Sequence, residues 1–304
     1  MDKQFVSGLD PHCLKRSDEV GGRKLPAGVF KKVRAVRLIH VSFKITRQPT
    51  LDNSPFDRVI LAEITPMKWR EKLKLEARIF KNLLYRRIYA SPRREKDIVN
   101  LFHKLYYDSR LFGRGFRNTF WLGRPTFKCP LDLWIYQEII YEKKPDLIIE
   151  CGTAKGGSAL FLALVCDGLN RGQVITIDIE ADENRPKHPR ITYLRGSSTS
   201  EEIIKRVEAL ATGKKEVMVI LDSDHAKNHV LDELRRYQRF VTKGNYLIVE
   251  DTNLNGHPVI PDFGPGPAEA VQEFMAENRD FVTDREREKF YLTFNPGGFL
   301  KKIR

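Results

Sequence analysis

Acidic side chains follow two apolar runs of the sequence. Asp224 lies just beyond Val217–Leu221, and the pair Glu250 and Asp251 directly follows Asn245–Val249. If the two runs are neighbouring parallel strands, their carboxyl ends meet at one edge of a sheet and bring the three carboxylates together. Carboxylates held this close repel one another unless a cation joins them, and hard oxygen ligands suit Mg²⁺. The sequence therefore predicts a magnesium site formed by these three residues.

Two histidines accompany the first of these acids. His225 follows Asp224 directly, and His229 lies four residues later, on the same face if the segment is helical. Three interpretations stay open: the imidazoles bind a transition metal, they have structural or orienting roles, or His225 is the general base that removes a hydroxyl proton. Histidine side chains titrate near neutral pH, as such a base requires. We take His225 as the candidate catalytic residue.

The element that must support this edge of the sheet is a strand, a glycine-rich turn and a helix. Leu147–Ile149 is a short apolar run typical of a strand buried on both faces, and Gly152–Ser158 leads into an apolar helical segment. The turn lacks the Lys-Ser or Lys-Thr pair of a P-loop, and Ala154 stands where a dinucleotide fingerprint needs its second glycine. The remaining pattern, E-x-G-x-x-x-G, resembles the first motif of class I S-adenosylmethionine-dependent methyltransferases. A plain strand-to-helix connection is the alternative.

The following strands predict further contacts to this cofactor. Gln173–Ile177 ends in Asp178, whose carboxylate is placed to accept hydrogen bonds from ribose hydroxyls. Ser197 and Ser198 follow the next strand, where the adenine would lie. The residues that we expect to bind S-adenosylmethionine are Glu150, Gly152, Gly156, Ser158, Asp178, Ser197 and Asp222.

Longer motifs narrow the resemblance to one family. The patterns E-C-G-T-x-x-G-G-S, L-D-S-D-H-x-x-x-H-V and V-E-D-T occur in this order, preceded by W-x-G-x-x-x-x-K-x-P-x-D-x-W-x-Y-Q-E. Over about residues 67–304 the chain resembles the cephalosporin hydroxylase (CmcI) and rhamnosyl O-methyltransferase family. The resemblance implies a Rossmann-like α/β fold with a mostly parallel seven-stranded sheet, helices on both faces and an antiparallel C-terminal strand. It also implies a Mg²⁺ site at Asp224, Glu250 and Asp251.

The resemblance implies a Mg²⁺-dependent O-methyltransferase that acts on a hydroxyl of a sugar or natural product. Two alternatives are a hydroxylase-type tailoring enzyme and a non-catalytic scaffold that binds a partner. No two-histidine, one-carboxylate pattern typical of iron hydroxylases is evident. A scaffold would have no reason to keep three acids together.

The excess of positive over negative charge lies almost entirely in the first third of the chain. Residues 1–95 hold 22 basic and 10 acidic side chains, whereas the remainder holds 31 and 30. Because nucleic-acid-modifying enzymes usually carry positive charge around the active site, we expect no nucleic-acid partner. The four cysteines show no paired spacing and no secretory segment is evident, which predicts a cytoplasmic protein.

The sequence divides into three parts. Residues 1–66 form a basic extension with little expected structure, residues 67–144 a helical and aromatic-rich cap, and residues 145–304 the methyltransferase core. We expect a protein that begins at Met67 to keep the stability and cofactor affinity of the full chain.

The patterns around the core predict several elements of the cap and of the C-terminus. An amphipathic, basic helix over residues 67–90 would pack on the domain, on a second subunit in a homo-oligomer, or on an anionic membrane surface. The aromatic stretch with Tyr106 and Tyr107 is expected to be a loop, and two closing strands are expected at Phe281–Thr283 and Lys289–Phe294.

Overall fold

The computed structural model describes residues 69–89 and 91–304, apart from the side chains of residues 72, 76, 86–90 and 92. Its helices are α1 (Trp69–Tyr89), α2 (Pro92–Asp108), α3 (Pro130–Lys143), α4 (Gly157–Gly168), α5 (Glu201–Ala211), α6 (Lys227–Tyr237) and α7 (Pro267–Glu277). Its strands are β1 (Phe120–Trp121), β2 (Arg124–Pro125), β3 (Leu147–Cys151), β4 (Gln173–Asp178), β5 (Ile191–Arg195), β6 (Val217–Leu221), β7 (Tyr246–Val249), β8 (Phe281–Thr283) and β9 (Phe299–Lys302).

Seven of these strands form one sheet, in the order β5-β4-β3-β6-β7-β9-β8. The five from β5 to β7 are parallel, and β9 runs antiparallel to both of its neighbours. The carboxyl ends of β3, β4, β6 and β7 therefore lie along one edge, which is where ligands bind in folds of this kind. The predicted fold class is confirmed, including the antiparallel C-terminal strand.

The short apolar runs become central strands because both faces of the sheet are covered. Every residue of β3, β6 and β7 is buried. The apolar side chains of α5, α6 and α7 pack on one face of the sheet, and those of α3 and α4 pack on the other. Such two-sided burial is typical of a parallel sheet and explains why these runs do not alternate with polar residues.

Two segments differ from the sequence prediction. Tyr106 and Tyr107 lie in helix α2, not in a loop, because Ser91 caps the helix by accepting a hydrogen bond from the Arg94 backbone N–H (3.4 Å) and Pro92 suits its first turn. The stretch Lys289–Phe294 forms no strand.

The backbone of this second segment explains the difference. Tyr291 has φ of 66°, which interrupts an extended chain, and the Leu292 N–H donates to the Phe290 carbonyl (2.8 Å). The Phe294 N–H donates to a carboxylate oxygen of Asp132 (2.9 Å) and not to a neighbouring strand. The strand that follows β8 in the chain and pairs with it is therefore found further along, in β9.

The predicted amphipathic helix is present as α1, and its apolar side chains such as Trp69 and Phe80 are exposed. Helix α2 also presents an exposed apolar stripe, which includes Ile98, Leu101 and Leu105. No helix among the described residues is long and apolar enough to cross a membrane. The predicted extension over residues 1–66, together with Met67, lies outside the described residues.

Candidate active site

The glycine-rich turn after β3 is held against the end of β6. Gly152 has φ of 99°, and a Cβ atom on it would lie 1.8 Å from the backbone carbonyl oxygen of Asp222. Oδ2 of Asp178, at the end of β4, accepts hydrogen bonds from the backbone N–H groups of Thr153 (3.1 Å) and Ala154 (2.8 Å). Glycine is therefore required at position 152 by the approach of another strand end, and Asp178 fixes the turn that follows it.

A cavity of about 530 Å³ opens at this edge of the sheet. Four of the seven predicted cofactor-binding residues line it, namely Gly152, Asp178, Ser197 and Asp222. The cavity also contacts residues that the sequence did not single out for the cofactor: Ala154, Ile177, Ile179, Glu180, Gly196, Ser223, Asp224 and His229, together with the predicted adenine neighbour Ser198.

The other three predicted cofactor residues lie outside the lining of this cavity. Gly156 has φ of 76° and precedes helix α4, while Ser158 is buried in the first turn of that helix. Glu150 is fully buried, and its Oε2 accepts a hydrogen bond from the Thr176 hydroxyl (2.7 Å). Its other oxygen, Oε1, is buried without a hydrogen-bond partner among the described residues. Burial raises the pKa of Glu150.

Three side chains of types that can ligate a metal ion lie close together next to the cavity. One ligand atom each from Asp222, His225 and Asp251 lies within 4.8 Å of the others. The Nε2 atom of His225 is 3.2 Å from Oδ2 of Asp251. Asp251 follows β7 in a left-handed conformation (φ 53°), and burial raises the pKa of its carboxyl group. Asp222 belongs both to this cluster and to the cavity lining.

The predicted metal ligands are thus only partly brought together. Asp251 lies in the cluster, whereas Asp224 has its Oδ1 atom occupied by the Ala226 backbone N–H (2.7 Å) at the start of helix α6. Glu250 is buried beside the cluster and forms an ion pair with a lysine. The metal-binding roles assigned to Asp224, Glu250 and Asp251 stay predictions.

That lysine, Lys128, is the residue of the candidate site that the sequence reasoning missed. Lys128 is only 3% exposed. Its Nζ atom donates hydrogen bonds to Oδ2 of Asp222 and to Oε1 of Glu250, the latter at 2.7 Å. Burial alone would lower the pKa of Lys128, but the neighbouring carboxylates outweigh burial and raise it. Burial raises the pKa of Glu250 well above its ordinary value, and the ammonium group opposes that rise.

Lys128 also ties the aromatic segment before α3 to the edge of the sheet. It precedes Asp222 by 94 residues and Glu250 by 122 residues. Its only sequence signal is its place in the W-x-G-x-x-x-x-K-x-P motif. A single lysine in that motif predicts nothing about its partners.

Comparison with known proteins agrees with this architecture. The family described as "Rhamnosyl O-methyltransferase/CmcI" matches residues 114–303. The chain belongs to this family. Membership confirms the predicted family and the predicted enzyme class, a methyltransferase.

Two curated members of the rhamnosyl O-methyltransferase/CmcI family are close enough to align over most of their length. The rhamnosyl O-methyltransferase of Mycobacterium tuberculosis is 38% identical over 212 residues, which are 67% of this chain and 84% of that protein. The rhamnosyl O-methyltransferase of Mycobacterium leprae is 40% identical over 212 residues, which are 67% and 90% of the two chains. A solved CmcI structure with Mg and SAM has a TM-score of 0.49 and 19% identity, covering 62% of this chain and 78% of that chain.

Proposed function

We propose that the protein transfers a methyl group from S-adenosylmethionine to a hydroxyl group of a sugar-bearing acceptor, with Mg²⁺ at the acceptor side. The observation that carries this proposal is the double position of Asp222, which lines the large cavity and also belongs to the cluster with His225 and Asp251. A donor in the cavity and an acceptor oxygen at the cluster would meet at this side chain. The curated relatives are named rhamnosyl O-methyltransferases, and this favours a sugar hydroxyl as the acceptor.

The cavity fits S-adenosylmethionine in size and in chemistry. A ligand pocket of a few hundred Å³ is typical for a cofactor of this size. The left-handed turn at Gly152 brings backbone close to the cavity, and the carboxylate of Asp178 lies at the end of the neighbouring strand, where ribose hydroxyls bind in related folds. Ile179, which is 68% exposed, offers an apolar surface for the base.

The cluster fits a divalent cation. Asp222 and Asp251 each supply a carboxylate oxygen, the ligand type that Mg²⁺ prefers, and two charges close together favour a cation between them. When bound, the ion would polarise the acceptor hydroxyl and lower its pKa. We therefore place Asp222 and Asp251 as the holders of the ion, and Asp224 outside the cluster.

His225 is the residue that we propose accepts the hydroxyl proton. Its Nε2 atom faces Oδ2 of Asp251, so the carboxylate would orient the imidazole and stabilise its protonated form. The methyl group leaves a sulfonium ion that is already activated, so the protein has mainly to hold donor and acceptor in line and to accept this proton.

Lys128 sets the charge of the site. Its ammonium group pairs with Glu250, which lies outside the cluster, and with Asp222, which belongs to it. It therefore offsets part of the negative charge that a single Mg²⁺ would otherwise face. Its contacts also join the segment that precedes α3 to the core formed by residues 145–304.

The test uses the purified full chain, S-adenosylmethionine labelled in its methyl group, and a panel of rhamnosides and other glycosides. We expect label in an ether-linked methyl group of the acceptor, abolished by a chelator and restored by Mg²⁺. Variant His225→Ala should keep cofactor affinity and lose turnover. If cofactor binds and no glycoside is labelled, a scaffold function replaces this proposal.

A further inference from the structure

His229 joins the ends of two strands at one wall of the cavity. It stands on α6 and lines the cavity, and its Nε2 atom lies 3.2 Å from the Ser198 hydroxyl beyond β5 and 3.1 Å from the Ser223 hydroxyl beyond β6. The Tyr237 hydroxyl donates to the Ser198 carbonyl (2.8 Å), which fixes the first of these contacts. The position of the imidazole is thus set by three separate elements.

Behind His229 lies a carboxylate that the proposed methyl transfer does not use. Glu233 is 0% exposed, and its Oε1 atom accepts a hydrogen bond from the Ser223 hydroxyl (2.7 Å) and lies 3.5 Å from Nε2 of His229. Its Oε2 atom is buried without a partner among the described residues. A buried carboxylate is costly, so its place beside one imidazole indicates a purpose beyond packing.

The direction of these hydrogen bonds fixes the tautomer of His229. Because the Ser223 hydroxyl donates its hydrogen to Glu233, the same oxygen is left to accept from Nε2–H of the imidazole. A neutral ring that carries its hydrogen on Nε2 has a lone pair on Nδ1. No hydrogen bond reaches Nδ1 from any residue that the structure describes. The hydrogen bond with Glu233 raises the pKa of His229, and the protonated ring has no lone pair on Nδ1, so this tautomer belongs to alkaline pH.

We propose that Nδ1 of His229, with its tautomer set by Glu233 through Ser223, accepts a hydrogen bond from the exocyclic amino group of the cofactor's adenine. Resting on the proposed function, this assigns a base-reading residue to the S-adenosylmethionine site. The location agrees, since Ser198 and Ile179 share the same cavity and lie beside the strand ends where the base is expected. A fixed acceptor pairs with an amino group and opposes the carbonyl oxygen of a 6-oxopurine.

The test compares two probes, S-adenosylhomocysteine and S-inosylhomocysteine, in which the 6-amino group is replaced by an oxygen and N1 gains a hydrogen. Titration calorimetry at pH 8.5 gives the affinity of each for the full chain. Wild-type protein should bind the adenosyl compound more tightly by a factor on the order of 10 to 100, because the oxo compound sets two acceptors against each other. His229→Ala should weaken binding of the adenosyl compound by about tenfold and bring the two affinities close to equality.

Two further variants separate base reading from general damage. Glu233→Leu should reduce the ratio of the two affinities, because the Ser223 hydroxyl then loses its acceptor and can donate to Nε2 of His229 instead, so the tautomer is no longer fixed. His188→Ala is the matched control, because His188 pairs with Asp167 through Nε2 (3.0 Å) and does not line the cavity, so it should keep the wild-type ratio.

The outcomes distinguish this inference from the proposed function. A wild-type protein that binds neither probe refutes the S-adenosylmethionine site itself. A wild-type protein that binds the adenosyl compound, together with a His229→Ala variant that keeps the full preference for it, overturns the role of His229 and leaves the methyltransferase proposal intact.

Discussion

Replacing the buried Lys128 by Met removes the ammonium group and nearly preserves the volume of the side chain. In the folded protein this group binds the partly exposed carboxylate of Asp222 and the buried carboxylate of Glu250 (2.7 Å to the latter). The variant keeps both acids and lacks their cation. Removing one partner of a buried ion pair costs about 3–5 kcal/mol, because an uncompensated charge stays buried. We therefore expect Lys128→Met to lower the free energy of unfolding by that amount at pH 8.

The loss should depend on pH with a definite sign. Burial already raises the pKa of Glu250 in the folded chain, and without the ammonium group it rises further. A carboxyl group whose folded pKa lies above the unfolded value of about 4.3 costs stability as the pH rises, and that cost disappears as the pH falls. The difference between variant and wild type should therefore shrink from pH 8 to pH 5. Added Mg²⁺ should stabilise the variant more than the wild type, since a divalent cation can replace the missing charge.

Urea unfolding followed by circular dichroism at pH 8 and pH 5 measures both effects. Lys289→Met is the matched control, because Lys289 pairs with Glu138 but has a side chain that is 47% exposed, and such surface pairs contribute about 0–1 kcal/mol. If Lys128→Met loses no more stability than this control, or if its loss is the same at both pH values, the buried ammonium does not balance these acids and our description of the site fails.

Three further predictions concern other parts of the site and its supporting loop. Gly152→Ala should lower the melting temperature and abolish binding of S-adenosylhomocysteine, because the new Cβ would collide with the Asp222 carbonyl; normal melting and binding would contradict the placement of the turn. Asp251→Asn should keep the affinity for S-adenosylhomocysteine measured without Mg²⁺ and lose Mg²⁺-dependent turnover; full turnover would remove Asp251 from the cation site. Burial opposes ionisation of Glu269, but hydrogen bonds from the Gly266 N–H and His257 lower its pKa to about 2. Glu269→Gln should therefore lower the free energy of unfolding by roughly 1–3 kcal/mol at pH 7 and by progressively less as the pH falls from about 4 to 2. Urea unfolding at several pH values would check this.

The sequence predicted the sheet well because its strands are short apolar runs whose burial on two faces leaves a local pattern. It also located the glycine-rich turn, because the positive φ at position 152 leaves a local signal in the choice of glycine. The ion pairs of the site are not local. The sequence around Lys128 contains no signal that predicts contact with carboxylates 94 and 122 residues later in the chain.

The presence of Asp222 in the cluster was not predicted for a different reason, and the metal-binding role of Asp224 stays a prediction. Both follow β6 in the same short segment, and which one faces the cluster depends on how the chain leaves the strand. Here the Asp224 carboxylate turns back to bind the Ala226 N–H, while Asp222 lies next to the turn at Gly152. Alternation along a strand cannot predict side-chain directions once the strand has ended.

The close contact between Gly152 and Asp222 has a thermodynamic consequence. The turn that borders the cofactor cavity and the residue shared with the cation cluster cannot move independently, because the Asp222 N–H also donates to the Cys151 carbonyl (2.8 Å). Under the proposed function, a displacement of the turn on cofactor binding would also move Asp222, so the cofactor and the cation would share one coupling free energy. By linkage, the factor by which the cofactor changes the affinity for Mg²⁺ equals the factor by which Mg²⁺ changes the affinity for the cofactor.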